Sequence, residues 1–184
     1  KMAVACARAG VDHLPGLRVR VVPEAAWHPW AEQPRELLLL AADEEAWLSL
    51  VALSNKAYLA NADFRGPRLD WRDLEEHSAG ELICLTGAPL VSVLTPLIEQ
   101  AADPTNPVEA VAVASRLSEL YSHVFVELAY HGQPREKLVN RGLVALAQRL
   151  DLPLVATNAV HFARARDALA HEVLQAMAKG RRTE

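Results

Sequence analysis

Hydrophobic residues along the chain occur in short apolar runs separated by longer amphipathic stretches. Leu37 to Ala41 is a continuous apolar run of the kind found in strands buried on both faces. Leu17, Val19 and Val21 alternate with arginines, and this two-residue period is typical of a half-buried strand. Three more strands are expected at 82–85, 124–128 and 154–156.

The amphipathic stretches predict helices between these strands. Asp43 is expected to cap a helix whose first turn is acidic, as the helix dipole favours. Its buried face is expected to consist of Trp47, Leu50, Val51, Ser54 and Tyr58. Asn106 to Glu109 has the form of a capping box with proline at the first helical position. The other predicted helices cover about 70–77, 90–101, 134–150 and 166–179.

Strands that alternate with helices indicate an α/β fold, in which a mostly parallel sheet is flanked by helices. Such a sheet is either open or closed into a barrel, and in both cases chemistry takes place at the carboxyl ends of the strands. No linker divides the chain, so residues 1–184 are interpreted as one domain. With 184 residues, 51% of them hydrophobic, that domain can bury a sizeable core.

The charge balance argues against tight DNA binding by this chain alone. It has 19 Lys and Arg against 23 Asp and Glu, whereas DNA-binding proteins usually carry a basic excess. Cys6 and Cys84 are too few for a disulfide framework, and no membrane-length apolar stretch or signal peptide is visible. These features predict a cytoplasmic location. Lys1 leads directly into a helical pattern, so we interpret the start as trimmed.

Few residues at the predicted strand ends could carry chemistry. His131 follows the fourth strand, and Asn158 and His161 follow the fifth, so these side chains could line a pocket at the mouth of the sheet. Two imidazoles could bind zinc or manganese, but without nearby carboxylates or thiols they make a poor site. Hydrogen-bonded loop histidines are the plainer interpretation. No phosphate-binding glycine pattern and no nucleophile elbow is present in the sequence.

Several segments of the sequence are specific enough to be compared with known family motifs. ELLLLAADEEAW, LSNKAY, GPRLD, HSAGELICLTGA, VELAYHG, LPLVATNAVH and AHEVL occur in this order from residue 36 to residue 174. They are similar to the family motifs HLVLLAKNEEGY, LSSLAY, KPRID, HSEGLIVLSGC, LELQDHG, IPLVATNDVH and AHDVL. Over nearly its whole length the chain resembles the N-terminal PHP (polymerase and histidinol phosphatase) domain of bacterial DNA polymerase III alpha subunits.

The resemblance implies a distorted, seven-stranded parallel β/α barrel, of which this chain covers roughly the C-terminal two-thirds or more. Members that keep a metal cluster at the strand ends use it for phosphoester hydrolysis, including exonuclease proofreading. In many polymerases the domain is instead a scaffold that stabilises the polymerase and contacts its proofreading partner.

The resemblance places five of the family's metal-ligand positions within this chain, and the first metal motifs upstream of it. Arg18 stands where the family has glutamate, Glu36 where it has histidine and Ala88 where it has cysteine. Ala159 replaces an aspartate, and only His161 keeps the family residue. Alanine cannot bind a metal, and a guanidinium repels a divalent cation. We therefore expect no cofactor and no catalytic residue, with His161 and Glu36 as the remaining candidate ligands.

Arg18 and Glu36 open two successive strands, which are expected to be neighbours. We predict that the two side chains pair across the former metal site, so that the guanidinium replaces the lost metal charge. If the pair is buried, removing one partner would cost about 3–5 kcal/mol. The alternative is that both side chains point into solvent.

The main functional hypothesis is a non-catalytic scaffold within a bacterial DNA polymerase III alpha-type (C-family) polymerase, in replication or translesion synthesis. Its partners would be the remainder of the polymerase chain and replisome or proofreading subunits, with DNA reached only through the full polymerase. One alternative is a metal-dependent phosphoesterase or 3′–5′ exonuclease with Zn or Mn/Mg held partly by His161 and Glu36. Another is a free-standing relative that binds partners. No membrane contact is expected.

Overall fold

A computed structural model describes residues 2–22, 35–61, 66–158, 160–178 and 180. Short helical segments at Lys56–Ala60 (π) and Ala165–Asp167 (3₁₀) adjoin two of the α-helices. Within the described residues the strands and α-helices are, in chain order, α1 (Met2–Ala9), β1 (Gly16–Val21), β2 (Arg35–Ala41), α2 (Glu44–Asn55), α3 (Trp71–Glu76), β3 (Leu82–Leu85), α4 (Thr95–Gln100), α5 (Val108–Leu120), β4 (His123–Leu128), α6 (Pro134–Leu150), β5 (Leu154–Ala156) and α7 (Ala168–Ala178).

The five strands form one mixed sheet in the order β1-β2-β3-β4-β5. β3, β4 and β5 are parallel, but β2 is antiparallel to both of its neighbours. The expected α/β class is correct. The expectation of a mostly parallel sheet is wrong for β1, β2 and β3, whose two pairings are antiparallel. In the described part of the chain, β1 and β5 are the edge strands, and closure into a barrel is not observed.

Two helices, α2 and α3, connect β2 to β3, and they return the chain to the end of the sheet where β2 finished. The backbone N–H of Glu81, just before β3, donates to Asp43 Oδ2 at the start of α2 over 3.1 Å. The amino end of β2 therefore lies at the same edge of the sheet as the carboxyl ends of the other strands.

The buried face of α2 agrees with the predicted one at Leu50 and otherwise differs from it. Trp47 and Tyr58 are 47% and 61% exposed, and Val51 is exposed as well. Apolar residues lie on two faces of this helix at the same helical period, so periodicity alone could not choose between them. The face with small side chains is buried, because alanines let the helix lie close to the sheet. The residues buried on it are Ala46, Ser49, Leu50, Leu53 and, in the π segment, Ala57.

Helix starts were predicted with mixed success. Asp43 caps α2 as predicted, and Asp70 caps α3 and Pro134 opens α6 where those helices were expected to begin. The capping box at Asn106 is wrong: α5 begins at Val108 without a side-chain cap. Asn106 Oδ1 instead accepts a hydrogen bond from Arg149 of α6 at 2.7 Å. The Asn106 side chain is therefore used in a tertiary contact rather than as a cap of α5.

α4 begins at Thr95 rather than near Leu90, because the preceding segment is used for strand contacts. The backbone N–H of Glu36 donates to Val91 O at 2.7 Å, and Glu36 forms a β-bridge with Ser92. The turns after β3 therefore lie against the start of β2.

The hydrophobic core lies between the sheet and the helices. Leu37 and Leu39 of β2 are fully buried, as are Leu143 and Leu146 of α6. Gly142 allows α6 to pack closely on α4, because a Cβ there would lie 2.4 Å from Ile98 Cγ2. None of the described helices combines the length and the apolar composition needed to cross a lipid bilayer.

Candidate functional site

Residues from four elements meet at the edge of the sheet where β2 begins. Arg18 of β1, Glu36 of β2, Gly87 and Ala88 after β3, and Glu127 of β4 line a cavity of about 20 Å³. That volume holds about one water molecule. The antiparallel direction of β2 is what brings Glu36 to this edge.

Arg18 and Glu36 form the ion pair that the sequence predicts, with 3.5 Å between Arg18 Nη1 and Glu36 Oε2. The pair is diagonal, since Arg18 lies opposite Leu38 and Glu36 lies opposite Arg20 in the register of β1 and β2. The Glu36 side chain is 14% exposed, but that of Arg18 is 67% exposed. The cost expected for a buried pair therefore does not apply, and the pair contributes about 1 kcal/mol or less.

Gly87 lets the loop after β3 pass directly over the start of β2. Its φ is +89°, and a Cβ at this position would lie 2.2 Å from the carbonyl oxygen of Glu36. Only glycine satisfies both conditions without a shift of the backbone. This contact holds Ala88 and Glu36 at the same cavity.

Glu127 is a residue of this site that the sequence analysis missed. It is 6% exposed, and its carboxylate accepts a hydrogen bond at 2.5 Å from the hydroxyl of Thr157, which follows β5. Its backbone N–H donates to Thr86 Oγ1 at 3.1 Å. The available signal was an acidic residue near the carboxyl end of an otherwise apolar parallel strand, where functional groups concentrate.

His131 and Asn158 lie together at the ends of β4 and β5, with 3.2 Å between His131 Nε2 and Asn158 Oδ1. The other ring nitrogen, Nδ1, is 2.8 Å from Glu136 Oε1. Glu136 is 1% exposed and also accepts hydrogen bonds from the backbone N–H groups of His131 and Gln133. Gln133 and Glu136 form the capping box of α6, which the sequence analysis did not identify.

The hydrogen bonds of this cluster shift both of its titrating groups toward their charged forms. The hydrogen bond to Glu136, followed by that to Asn158, raises the pKa of His131. Burial by itself would raise the pKa of Glu136, but the hydrogen bonds from His131 and Gln133 outweigh it and lower that pKa. These shifts favour a protonated His131 beside a charged Glu136, and the hydrogen bonds connect the end of β4 to the start of α6.

His161 is not among the residues that line the cavity. Its ring stacks on His171 of α7, with 4.9 Å between the ring centroids and 15° between the planes. Gln175 Nε2 lies 2.7 Å from His171 Nε2. Ala159, the other predicted position after β5, lies outside the described residues.

The donor set at the cavity does not fit a divalent metal ion. Glu36 and Glu127 are carboxylates, but Ala88 has no ligand atom and Arg18 brings a fixed positive charge. In the described ranges, no three His, Cys, Asp or Glu side chains are grouped so that they could hold a metal ion. A stable site needs three or more protein ligands of this kind.

Comparison with known sequences identifies the family. The sequence model of the PHP domain matches residues 1–131. The chain belongs to the PHP domain family.

Relatives of this PHP domain are DNA polymerase III alpha subunits. The chain is 33% identical to the one from Treponema pallidum (strain Nichols) over 175 residues, 92% of this chain and 14% of the relative. It is 36% identical to the one from Caulobacter vibrioides over 178 residues, 94% of this chain and 15% of the relative. It is 36% identical to that of Thermus aquaticus over 141 residues, 77% of this chain and 11% of the relative. The chain thus corresponds to about a seventh of the length of the first two relatives.

Proposed function

We propose that this PHP domain is a non-catalytic scaffold within a bacterial DNA polymerase III alpha-type polymerase, in replication or translesion synthesis. The observation that carries the proposal is the composition of the cavity at the start of β2. It holds an arginine and an alanine at two of the positions where the resemblance expects ligands, Arg18 and Ala88. Phosphoester hydrolysis by the family's metal chemistry needs a bound metal to activate water, and these residues do not supply its ligands.

The proposed fold of the complete domain is the family's distorted seven-stranded barrel. The five observed strands leave β1 and β5 as edges within the described residues. An edge strand presents unpaired backbone groups, which favours pairing with further strands. The two further strands of the proposed barrel would pair with these edges.

The proposed partners are the remainder of the polymerase chain and replisome or proofreading subunits, in the cytoplasm. DNA would be reached only through the full polymerase. α7 supports a protein partner, because none of its described residues is buried and its apolar side chains are exposed. Leu169, Leu174 and Met177 are 67%, 64% and 72% exposed. Exposed apolar surface of this kind favours contact with another part of a protein.

The test is nucleotide release from single-stranded and 3′-mismatched DNA by the complete protein with Mn²⁺ or Zn²⁺. The proposal expects equal background release from wild type and from His161→Ala, because His161 holds no catalytic metal. Metal-dependent release that His161→Ala abolishes would overturn the scaffold proposal and support the exonuclease alternative.

A second measurement tests the scaffold role directly. Leu37→Ala removes a fully buried side chain of β2 and should destabilise the domain by about 2–5 kcal/mol. If the domain supports the polymerase, DNA synthesis by the Leu37→Ala protein at elevated temperature should decrease together with the stability of the domain. Arg72→Ala is the control, since this arginine is 78% exposed. Full synthesis by a Leu37→Ala protein whose PHP domain is unfolded would contradict the proposal.

A further inference from the structure

The helix α2 and the π segment after it carry a second set of apolar side chains, on the side opposite the buried residues. Spacings of four, seven and eleven residues place this set on one side of the helix. Leu59 is 84% exposed, which makes it the most exposed large hydrophobic residue in the described part of the chain. We call the set the outer face of α2, and its members are Trp47, Leu48, Val51, Tyr58 and Leu59.

The outer face of α2 differs from the exposed side of α6, another helix that packs on the core. The exposed side of α6 includes Lys137, Arg141 and Gln148, as is usual for a helix with water on one side. A helix that is apolar on both sides is typical of one buried between two layers. The sequence of α2 therefore fits an inner helix, with the sheet on one side and a second protein layer on the other.

The composition of the outer face indicates a permanent neighbour. Tryptophan and tyrosine contribute more binding energy at protein interfaces than most residues, and this face has one of each, at positions 47 and 58. Permanent interfaces are also more apolar than transient ones. The remainder of the proposed polymerase would be such a neighbour, because the relatives are about seven times longer than the part of them that this chain matches.

The charges beside the outer face are unbalanced at one end only. Glu44 and Glu45 are exposed in the first turn of α2, and neither forms an ion pair with another described residue. At the other end, Lys56 Nζ already lies 3.4 Å from Asp73 Oδ1 and 3.9 Å from Glu76 Oε2. A neighbour that places a lysine or arginine opposite the two glutamates would be complementary in charge.

We propose that the outer face of α2 is the docking surface for an amphipathic helix from the remainder of the same polymerase chain, with a lysine or arginine opposite Glu44 and Glu45. A helix is the element that fits, because rows of side chains four residues apart form ridges that pack into the grooves of another helix. The inference rests on the proposed function and goes further by assigning the surface, the element that covers it and the charge of that element.

Photo-cross-linking of the complete polymerase tests which segment covers the outer face. p-Benzoylphenylalanine replaces Tyr58, which keeps an aromatic side chain at this position, and mass spectrometry identifies the cross-linked peptide. We expect a cross-link to a segment of the same chain, outside residues 1–184, whose apolar residues have a helical period. A lysine or arginine should lie about four turns from the cross-linked residue, which is the separation of Tyr58 and Glu44 along α2.

The matched control for the cross-link is p-benzoylphenylalanine in place of Tyr130. This tyrosine is exposed to a similar extent, 58% against 61% for Tyr58, but it follows β4 and is not part of the outer face. It should not cross-link to the same segment. A cross-link from position 58 to a residue within 1–184, to a second copy of the chain or to another subunit would overturn the inference, as would the absence of any cross-link.

Hydrogen exchange keeps the inference testable if the position-58 variant does not fold. Leu48→Glu places a charge on the outer face, and since Leu48 is largely exposed, the substitution should leave the domain itself folded. In the complete polymerase it should speed amide exchange of a helical segment outside residues 1–184 by at least about tenfold, because the new carboxylate would be buried without a partner. Leu138→Glu, which changes an exposed leucine of α6, is the control and should leave that exchange unchanged. Equal exchange in wild type and Leu48→Glu would overturn the inference.

The outcomes separate this inference from the scaffold proposal. Absence of both the cross-link and the change in exchange overturns only the docking surface, because the rest of the polymerase can contact another face, such as that of α7. Metal-dependent nuclease activity that His161→Ala abolishes overturns the scaffold proposal, whatever position 58 contacts.

Discussion

The ring nitrogen Nδ1 of His131 lies 2.8 Å from Oε1 of Glu136, a side chain that is almost completely buried at the start of α6. Because Nε2 of the same ring reaches Asn158, this one histidine connects the segments that follow β4 and β5. The contact between His131 and Glu136 is strongest when the imidazole and the carboxylate are both charged, so its strength depends on pH.

We predict that His131→Gln destabilises the domain most at mildly acidic pH. The raised pKa of His131 gives stability that is fully present below the ordinary value of 6.5 and is lost as pH rises through the folded-state pKa. The lowered pKa of Glu136 gives stability that is present above 4.5 and is lost as pH falls through its folded-state pKa. Urea unfolding between pH 5 and 9 measures the difference between wild type and variant.

His123→Gln is the control for this series, since His123 is an exposed histidine at the start of β4. Its effect should not follow the same profile. A His131→Gln effect that is constant from pH 5 to 9 would show that the ring acts through packing alone.

Gly87→Ala should destabilise the domain more than Gly132→Ala. Both glycines have a left-handed backbone, with φ of +89° and +86°. A Cβ at Gly132 meets nothing within 4 Å, so its substitution costs only backbone strain, about 1–2 kcal/mol. A Cβ at Gly87 also lies 2.2 Å from Glu36 O, which should add about 1–3 kcal/mol. Chemical denaturation of the two variants gives the comparison, and equal losses would contradict the close approach.

Asp43→Ala should cost about 1–2 kcal/mol of unfolding free energy. The Asp43 carboxylate accepts hydrogen bonds from Ala46 N at 2.7 Å and from Glu81 N at 3.1 Å, so the substitution loosens both the α2 start and its contact with β3. Asp43→Asn keeps one acceptor oxygen and should lose less. Thermal unfolding of the two variants tests this order, and an equally stable Asp43→Ala would argue that neither hydrogen bond matters.

Cys84 should resist alkylation in the folded protein while Cys6 reacts. Cys84 is fully buried in β3, and burial raises the pKa of its thiol well above the usual range. The reactive form is the thiolate, so both access and ionisation protect Cys84. Cys6 lies partly exposed on α1. Mass spectrometry after iodoacetamide treatment should find one modified cysteine before unfolding and two after it; early labelling of Cys84 would mean that β3 opens locally.

The sequence predicts the elements of this fold better than their directions and faces. The five strands lie where the sequence predicts them, β1 from alternation and the others from short apolar runs, although β5 is largely exposed. The antiparallel direction of β2 was not predicted, because hydrophobic periodicity carries no information about strand direction. The buried face of α2 was misassigned to Trp47 and Tyr58, since side-chain size against the sheet decided between two equivalent stripes.

The candidate site was predictable where it depended on neighbouring strands. Arg18 and Glu36 pair because strands that are consecutive in the sequence commonly lie side by side in the sheet. Glu127 was missed because its role depends on Thr157, thirty residues away, and on the loop that Gly87 folds over β2. Contacts of that range follow from the assembled sheet rather than from local pattern.

β3 pairs antiparallel with β2 on one side and parallel with β4 on the other. It therefore divides the sheet into an amino-terminal half of antiparallel strand pairs and a carboxyl-terminal half of parallel pairs that are connected through helices. The largely exposed turns at 101–106 connect the two halves beyond β3. A chain cut in these turns would divide the molecule into two complementary fragments that can recombine along one strand, and new termini or an inserted protein should be tolerated there.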